Sequence, residues 1–229
     1  MRIPALSGCH SRYCFDGLAQ TYDRWYETAQ GIAHDRTQKS DVERFLSPRQ
    51  AGACLLDIGC GTGHWSLFFK DLGYAVVGVD LSSRMVSRAR SNATSPIAWG
   101  VADACALPFE DGSFDVVAAM ATLEFLTDPM KTLHEMARCT SSGGRILIGT
   151  LNRRAVINRQ RVADRREPYT SARLFSKGEL RDLLSLFGQV RIVASDPDAV
   201  FPEGNWHQFD GFPVASPFEG PFLVAEVRR

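Results

Sequence analysis

The chain has 229 residues, enough for one sizeable hydrophobic core and short for two. Its 26 basic and 26 acidic residues balance, which removes any global electrostatic case for a nucleic-acid or membrane partner. No apolar run is long enough to span a bilayer, so the expected setting is cytoplasmic, without integral membrane association.

Residues Gly17–Leu46 read as helices that precede the first strand. From there the sequence alternates short β-rich runs with helical patterns. Ala53–Ile58, Ala75–Asp80, Ile97–Val101, Phe114–Met120 and Arg145–Thr150 are strand candidates, and their near-continuous apolar character suits a parallel sheet buried on both faces. His64–Leu72 is helical, with Phe68, Phe69 and Leu72 on one face and Gly73 as its stop. Pro129–Cys139 puts Met130, Leu133, Met136 and Ala137 on one stripe, and Gly143-Gly144 is expected to end that unit. Ser176-Lys177-Gly178-Glu179 is a capping box opening a helix with Leu180, Leu183, Leu184 and Phe187. Val190–Ala194 and Phe222–Val227 are the last strand candidates. The Pro-, Gly- and aromatic-rich stretch Asp196–Pro217 lies between them as a long excursion. Repeated strand–helix alternation predicts an α/β fold with a doubly wound sheet.

Six cysteines are scattered without a CxxC pair, and free thiols in a reducing compartment are expected. Cys9, His10 and Cys14 lack a second ligand pair, so no metal site is expected.

The densest signal is Leu55-Leu56-Asp57-Ile58-Gly59-Cys60-Gly61-Thr62-Gly63-His64. An apolar strand reaches an acid, then three alternating glycines lead into a helix. Glycine tolerates positive φ and lets a ligand approach the backbone, while the helix start aims free N–H groups at it. Asp80 ends the next apolar run at the spacing of a ribose-binding carboxylate in a nucleotide-binding βαβ unit. A nicotinamide or flavin fingerprint requires a third glycine where His64 stands, which disfavours a dehydrogenase.

Several strings together resemble the class I S-adenosylmethionine-dependent methyltransferases, of the small-molecule, ubiquinone/menaquinone methyltransferase-like kind. They are Leu56–Gly63, Val-Gly-Val-Asp-Leu-Ser at 78–83, the run from Val101 to Asp115, Leu-Glu-Phe-Leu-Thr-Asp-Pro at 123–129, and Ser-Gly-Gly-Arg-Ile-Leu-Ile at 142–148. The resemblance implies a Rossmann-like, mostly parallel seven-stranded sheet, helices on both faces and the last strand antiparallel. It implies one methyltransferase domain: a helical cap at 1–50, a cofactor-binding core at 51–150, a lid-like insertion at 151–178 and sheet completion at 179–229. The implied cofactor is S-adenosyl-L-methionine, with S-adenosyl-L-homocysteine as product.

The resemblance also implies roles. Asp57 would orient the glycine loop and the methionine ammonium. Gly59, Cys60 and Gly61 would lie against the methionine and ribose. Asp80 would take both ribose hydroxyls, Leu81 the adenine face, and Asp103 the adenine amino group, with the Ala104 N–H on a ring nitrogen. Met120 and Ala121 would lie near the methionine. Phe15–Tyr26 resembles the segment that closes over the site in many small-molecule methyltransferases, with Tyr22 and Tyr26 walling the methionine and acceptor.

Catalytic candidates are Glu124, raised by its apolar neighbours into the range of a base, together with His207 and Tyr26. Arg153, Arg154, Arg159, Arg161, Arg165, Arg166 and Arg173 form the one basic cluster, for which a solvated helix face, a lid and an anionic-ligand site all remain open. The expected partner is a small-molecule methyl acceptor, not nucleic acid, for a monomer or homodimer. The alternatives are a noncatalytic S-adenosylmethionine-binding regulatory module and a methyltransferase acting on protein or nucleic acid.

Overall fold

A computed structural model describes residues 11–47, 52–196 and 220–229. Seven strands form one sheet: β1 (Cys54–Ile58), β2 (Ala75–Asp80), β3 (Ala98–Val101), β4 (Phe114–Met120), β5 (Thr140–Leu151), β6 (Gln189–Ser195) and β7 (Phe222–Arg228). Their spatial order is β3-β2-β1-β4-β5-β7-β6. The pairings from β3 through β5 are parallel, and β7 runs antiparallel between β5 and β6. This is the expected Rossmann-like sheet with its last strand reversed.

Helices α1 (Arg24–Glu27) and α2 (Ala29–Leu46) precede β1, and α3 (His64–Asp71), α4 (Ser83–Asn92), α5 (Pro129–Cys139), α6 (Val156–Ala163) and α7 (Lys177–Leu184) lie between strands. Strand alternation divides the core between two faces. On one, Ile58, Val117, Ala119, Ile146 and Ile148 pack with Leu133 and Met136 of α5 and Leu180 of α7. On the other, Leu55, Val116, Ala118, Met120 and Leu147 pack with Phe45 of α2 and Trp65 and Phe69 of α3. The Ser176–Glu179 capping box forms as the sequence predicts, with side chain and backbone bonded reciprocally.

Two differences from the sequence reading have physical causes. Gly143-Gly144 does not end a unit; it kinks a longer β5. Phe114 pairs with Thr140 and then Val116 pairs with Arg145, so the intervening residues bulge, with Gly143 at φ +75°. The arginine- and serine-rich α4 escapes a search for apolar runs. It buries only Met85, Val86 and Ala89 and starts at an N-cap in which Ser82 Oγ accepts the Met85 N–H. No helix among the described residues is long and apolar enough to cross a membrane.

Candidate functional site

The glycine loop is held from two sides. The Cys60 N–H donates to the Val79 carbonyl at 3.0 Å, and the Gly61 N–H donates to Asp80 Oδ2 at 2.9 Å. Asp80 Oδ1 accepts the Ser82 N–H at 2.8 Å. Burial raises the Asp80 pKa, against which the two amide bonds stabilise its charge. Two backbone donors thus fix this carboxylate while its other lone pairs face open space. Gly59, Gly61 and Gly63 all have positive φ. At Gly59 the close approach is decisive, because a Cβ there would fall 2.3 Å from Thr122 Oγ1.

Beyond β3, Asp103 is buried and its Oδ1 accepts the Cys105 N–H at 2.9 Å. Among the described residues its Oδ2 has no protein partner. Gly59, Gly61, Asp80, Leu81, Asp103 and Ala104 line one cavity of about 370 Å³, within the range of small-ligand sites.

The N-terminal segment supplies the opposite wall through Tyr13, Phe15, Asp16 and Tyr22. It is pinned across the sheet loops. The Arg12 N–H donates to the Phe125 carbonyl at 2.7 Å, the Phe15 and Phe125 rings meet edge to face at 4.9 Å, and Ser82 Oγ donates to Asp16 Oδ1 at 2.5 Å. Asp23 accepts from Thr62 Oγ1 at 2.5 Å and from Asn92 Nδ2 at 3.0 Å. His64 extends the same seam: its ring stacks on Tyr26 at 3.6 Å and bonds to Asp35 Oδ1 at 2.6 Å.

Other expected site residues lie off the cavity wall. Asp57 sits beneath the loop, accepts from Ser66 Oγ at 2.5 Å and is pushed up to about 7, chiefly by burial. Cys60 is buried, and burial keeps its thiol protonated. Met120 points into the core face shared with α2 and α3, because alternation along β4 sends it there; its neighbour Ala121, at φ +52°, meets the cavity instead.

Glu124 is fully buried one step behind the wall. Its carboxylate accepts from Thr150 Oγ1 at 3.0 Å and the Leu151 N–H at 3.3 Å, with no arginine partner among the described residues, and burial pushes it up to about 7. Tyr26 donates to the Tyr22 oxygen, and burial holds both phenols well above the usual tyrosine value. Glu124 and Tyr169 add to that effect on Tyr22. His207, Cys9, His10 and the excursion beyond Asp196 lie outside the described residues.

The sequence reading omitted Tyr13, Ser82, Met85, Thr122 and Leu126 from this wall, whereas Asp16 lies in the segment it expected to close over the site. The signal for Ser82 and Met85 was available in the N-cap of α4. Nothing local marks Tyr13 or Leu126, which come to the same wall where Ser11 and Arg12 bind the Phe125–Leu126 backbone.

Residues 56–148, which carry most of these loops, match the family described as a methyltransferase domain. Over those residues the chain is similar to methyltransferase domains. The donor set suits S-adenosylmethionine: a fixed carboxylate at Asp80, an open acceptor at Asp103 and a glycine backbone between them.

An uncharacterized protein of Methanocaldococcus jannaschii is 29% identical over 79% of this chain and 83% of its own length. A demethylmenaquinone methyltransferase of Clavibacter sepedonicus is 35% identical over 58% of this chain and 55% of its own. The chain spans about half the length of the relatives with named reactions that it matches. The methyltransferase fold extends further. A Thermotoga maritima crystal structure, described as a SAM-dependent methyltransferase and possible histamine N-methyltransferase, superposes with TM-score 0.69. That match covers 93% of this chain and 97% of the other, at 24% identity.

Proposed function

We propose that the chain transfers the methyl group of S-adenosylmethionine to a small-molecule acceptor. The observation that carries this reading is the cavity itself, in which the loops after β1, β2 and β3 supply one wall and the N-terminal segment the other. A pocket of about 370 Å³ closed by Tyr13, Phe15 and Tyr22 suits a small partner better than a folded one. Named relatives acting on demethylmenaquinone and on a rifamycin precursor point the same way.

When bound, the cofactor supplies a sulfonium methyl whose bond to sulfur breaks, its electron pair staying on sulfur, as an acceptor lone pair forms the new bond. The residues need only hold and align. Asp80 takes the ribose hydroxyls with the lone pairs left free by Gly61 and Ser82. Asp103 takes the adenine amino group through Oδ2, the Ala104 N–H a ring nitrogen, and Leu81 covers an adenine face. Gly59 and Gly61 present backbone to the methionine and ribose, and Cys60 acts through its N–H bond to β2. Asp57, below the loop, favours the cationic methionine end electrostatically. Tyr22, backed by Tyr26, excludes water between donor and acceptor.

Glu124 affects that end through Tyr22 and the β5 terminus rather than by touching an acceptor across the cavity wall. Set behind the wall, Glu124 is therefore no direct base for a proton leaving the acceptor. Acceptors that are already nucleophilic at neutral pH, such as carboxylates, thiolates and enolates, suit the site best.

The test incubates the full chain with methyl-labelled S-adenosylmethionine and a fractionated metabolite extract. Label in a low-mass product supports the reading. Label confined to protein or nucleic acid, or tight cofactor binding with no transfer to any fraction, overturns it.

A further inference from the structure

Of the arginines between 153 and 173, most are exposed, and Arg153 pairs with Glu179 at 2.9 Å. Arg161 differs. It is only 7% exposed, and no carboxylate faces it among the described residues. The charged and titratable groups that act on it are Tyr169 and Arg166, while burial itself disfavours its charge. A buried cation without an acid is costly and is retained where something compensates it.

The surroundings of Arg161 are built to hold it. Its Nη1 donates to Asn158 Oδ1 at 3.2 Å. Asn158 is itself fixed, because its Nδ2 donates to the Asn152 and Pro221 carbonyls at 2.9 and 2.7 Å. The guanidinium lies 5.3 Å from the Trp25 ring centre and 4.6 Å from that of Tyr169. These contacts leave Nε and Nη2 without hydrogen-bond partners among the described residues. That edge of a guanidinium forms two parallel bonds to a carboxylate.

Arg161 does not itself line the cavity but stands behind its N-terminal wall, beside Trp25, whose N–H donates to the Tyr22 carbonyl at 3.4 Å. Trp25 lies three residues beyond Tyr22, a wall residue, and Tyr169 lies close enough to Tyr22 to oppose its ionisation. We infer that Arg161 is a specificity-determining residue that anchors an acceptor through a carboxylate, with Trp25 and Tyr169 flanking the apolar part beside it. One guanidinium matches a monoanion, and the two rings suit an organic body better than a bare phosphate. The inference rests on the methyl-transfer reading and names the acceptor class for it.

The experiment measures binding by calorimetry to the full chain saturated with S-adenosylhomocysteine. The probes are butyrate, benzoate and 3-phenylpropanoate, each against its carboxamide, with inorganic phosphate as a separate arm. At least one carboxylate should bind about tenfold or more tighter than its amide, as expected for a charge-assisted pair. Arg161→Met should erase that preference, and Arg161→Lys should keep part of it. Unchanged S-adenosylhomocysteine affinity in both variants establishes that they are folded.

No preference in any pair, a preference that survives Arg161→Met, or phosphate binding tighter than every carboxylate overturns the inference. Should Arg161→Met not fold, loss of the bidentate preference in Arg161→Lys decides the matter, and full retention there overturns it. Failure of S-adenosylhomocysteine itself to bind the unaltered chain instead overturns the methyl-transfer reading, so the two failures are distinguishable.

Discussion

Thr62 Oγ1 donates a hydrogen bond to Asp23 Oδ1 at 2.5 Å, joining the glycine loop to the turn that enters α1. The same carboxylate reaches α4 through Asn92. One acid therefore holds the N-terminal wall to two loops of the sheet. Thr62→Val keeps the shape and removes the donor. Limited proteolysis within residues 11–28 should accelerate about tenfold, as expected when a charged hydrogen bond that resists local opening is lost. An unchanged cleavage rate would show that the segment is held elsewhere.

Asp80→Ala removes the proposed partner of both ribose hydroxyls together with the brace on Gly61 and Ser82. Affinity for S-adenosylhomocysteine should fall by about 1.5–3 kcal/mol, read by calorimetry. Equal affinity in the variant would take Asp80 out of the site.

Glu124 gives the protein a pH signature. Burial raises it from 4.5 to about 7. Below pH 4.5 the group is protonated in both folded and unfolded chains and costs nothing. Between about 4.5 and 7 the unfolded chain releases its proton first, so stability falls as pH rises; above 7 the full cost of about 3 kcal/mol remains. Asp57 titrates in the same direction, from 3.8 to about 7. Denaturant unfolding from pH 4 to 8 should show this decline, and Glu124→Gln should remove one share of it. A variant with the same slope would mean Glu124 does not titrate with folding.

Gly59→Ala combines positive φ with a Cβ placed 2.3 Å from Thr122 Oγ1. Loss of about 2 kcal/mol or more is expected. Thr122→Ala should relieve part of that loss although it loosens the unmutated loop, giving a non-additive pair in a double-mutant cycle. Strict additivity would place the cost in the backbone alone.

The sheet was legible because its strands are apolar runs ended by Asp57, Asp80 and Gly59, features that a linear reading detects. Asp80, Asp103 and the glycine loop were legible for the same reason: a motif encodes both the turn and the ligand group. The resemblance put Met120 near the methionine, whereas the pleat of β4 sends its side chain to the core. Glu124 illustrates a different limit, since burial was predictable from Leu123 and Phe125 but its partners, Thr150 and Leu151, lie on β5. Arg161 could not be singled out among its neighbouring arginines. Its burial depends on Trp25, more than a hundred residues earlier in the chain.

The cavity and the sheet have different boundaries along the chain. Every described strand lies between Cys54 and Arg228, whereas part of the wall facing them comes from residues between Ser11 and Tyr22. The strands and this part of the cavity wall are thus encoded in separable stretches. On the methyl-transfer reading, exchanging the segment before α2 for that of a relative should alter the cavity wall while the strands keep their register, which makes this stretch, with Arg161, a place to begin redesigning selectivity.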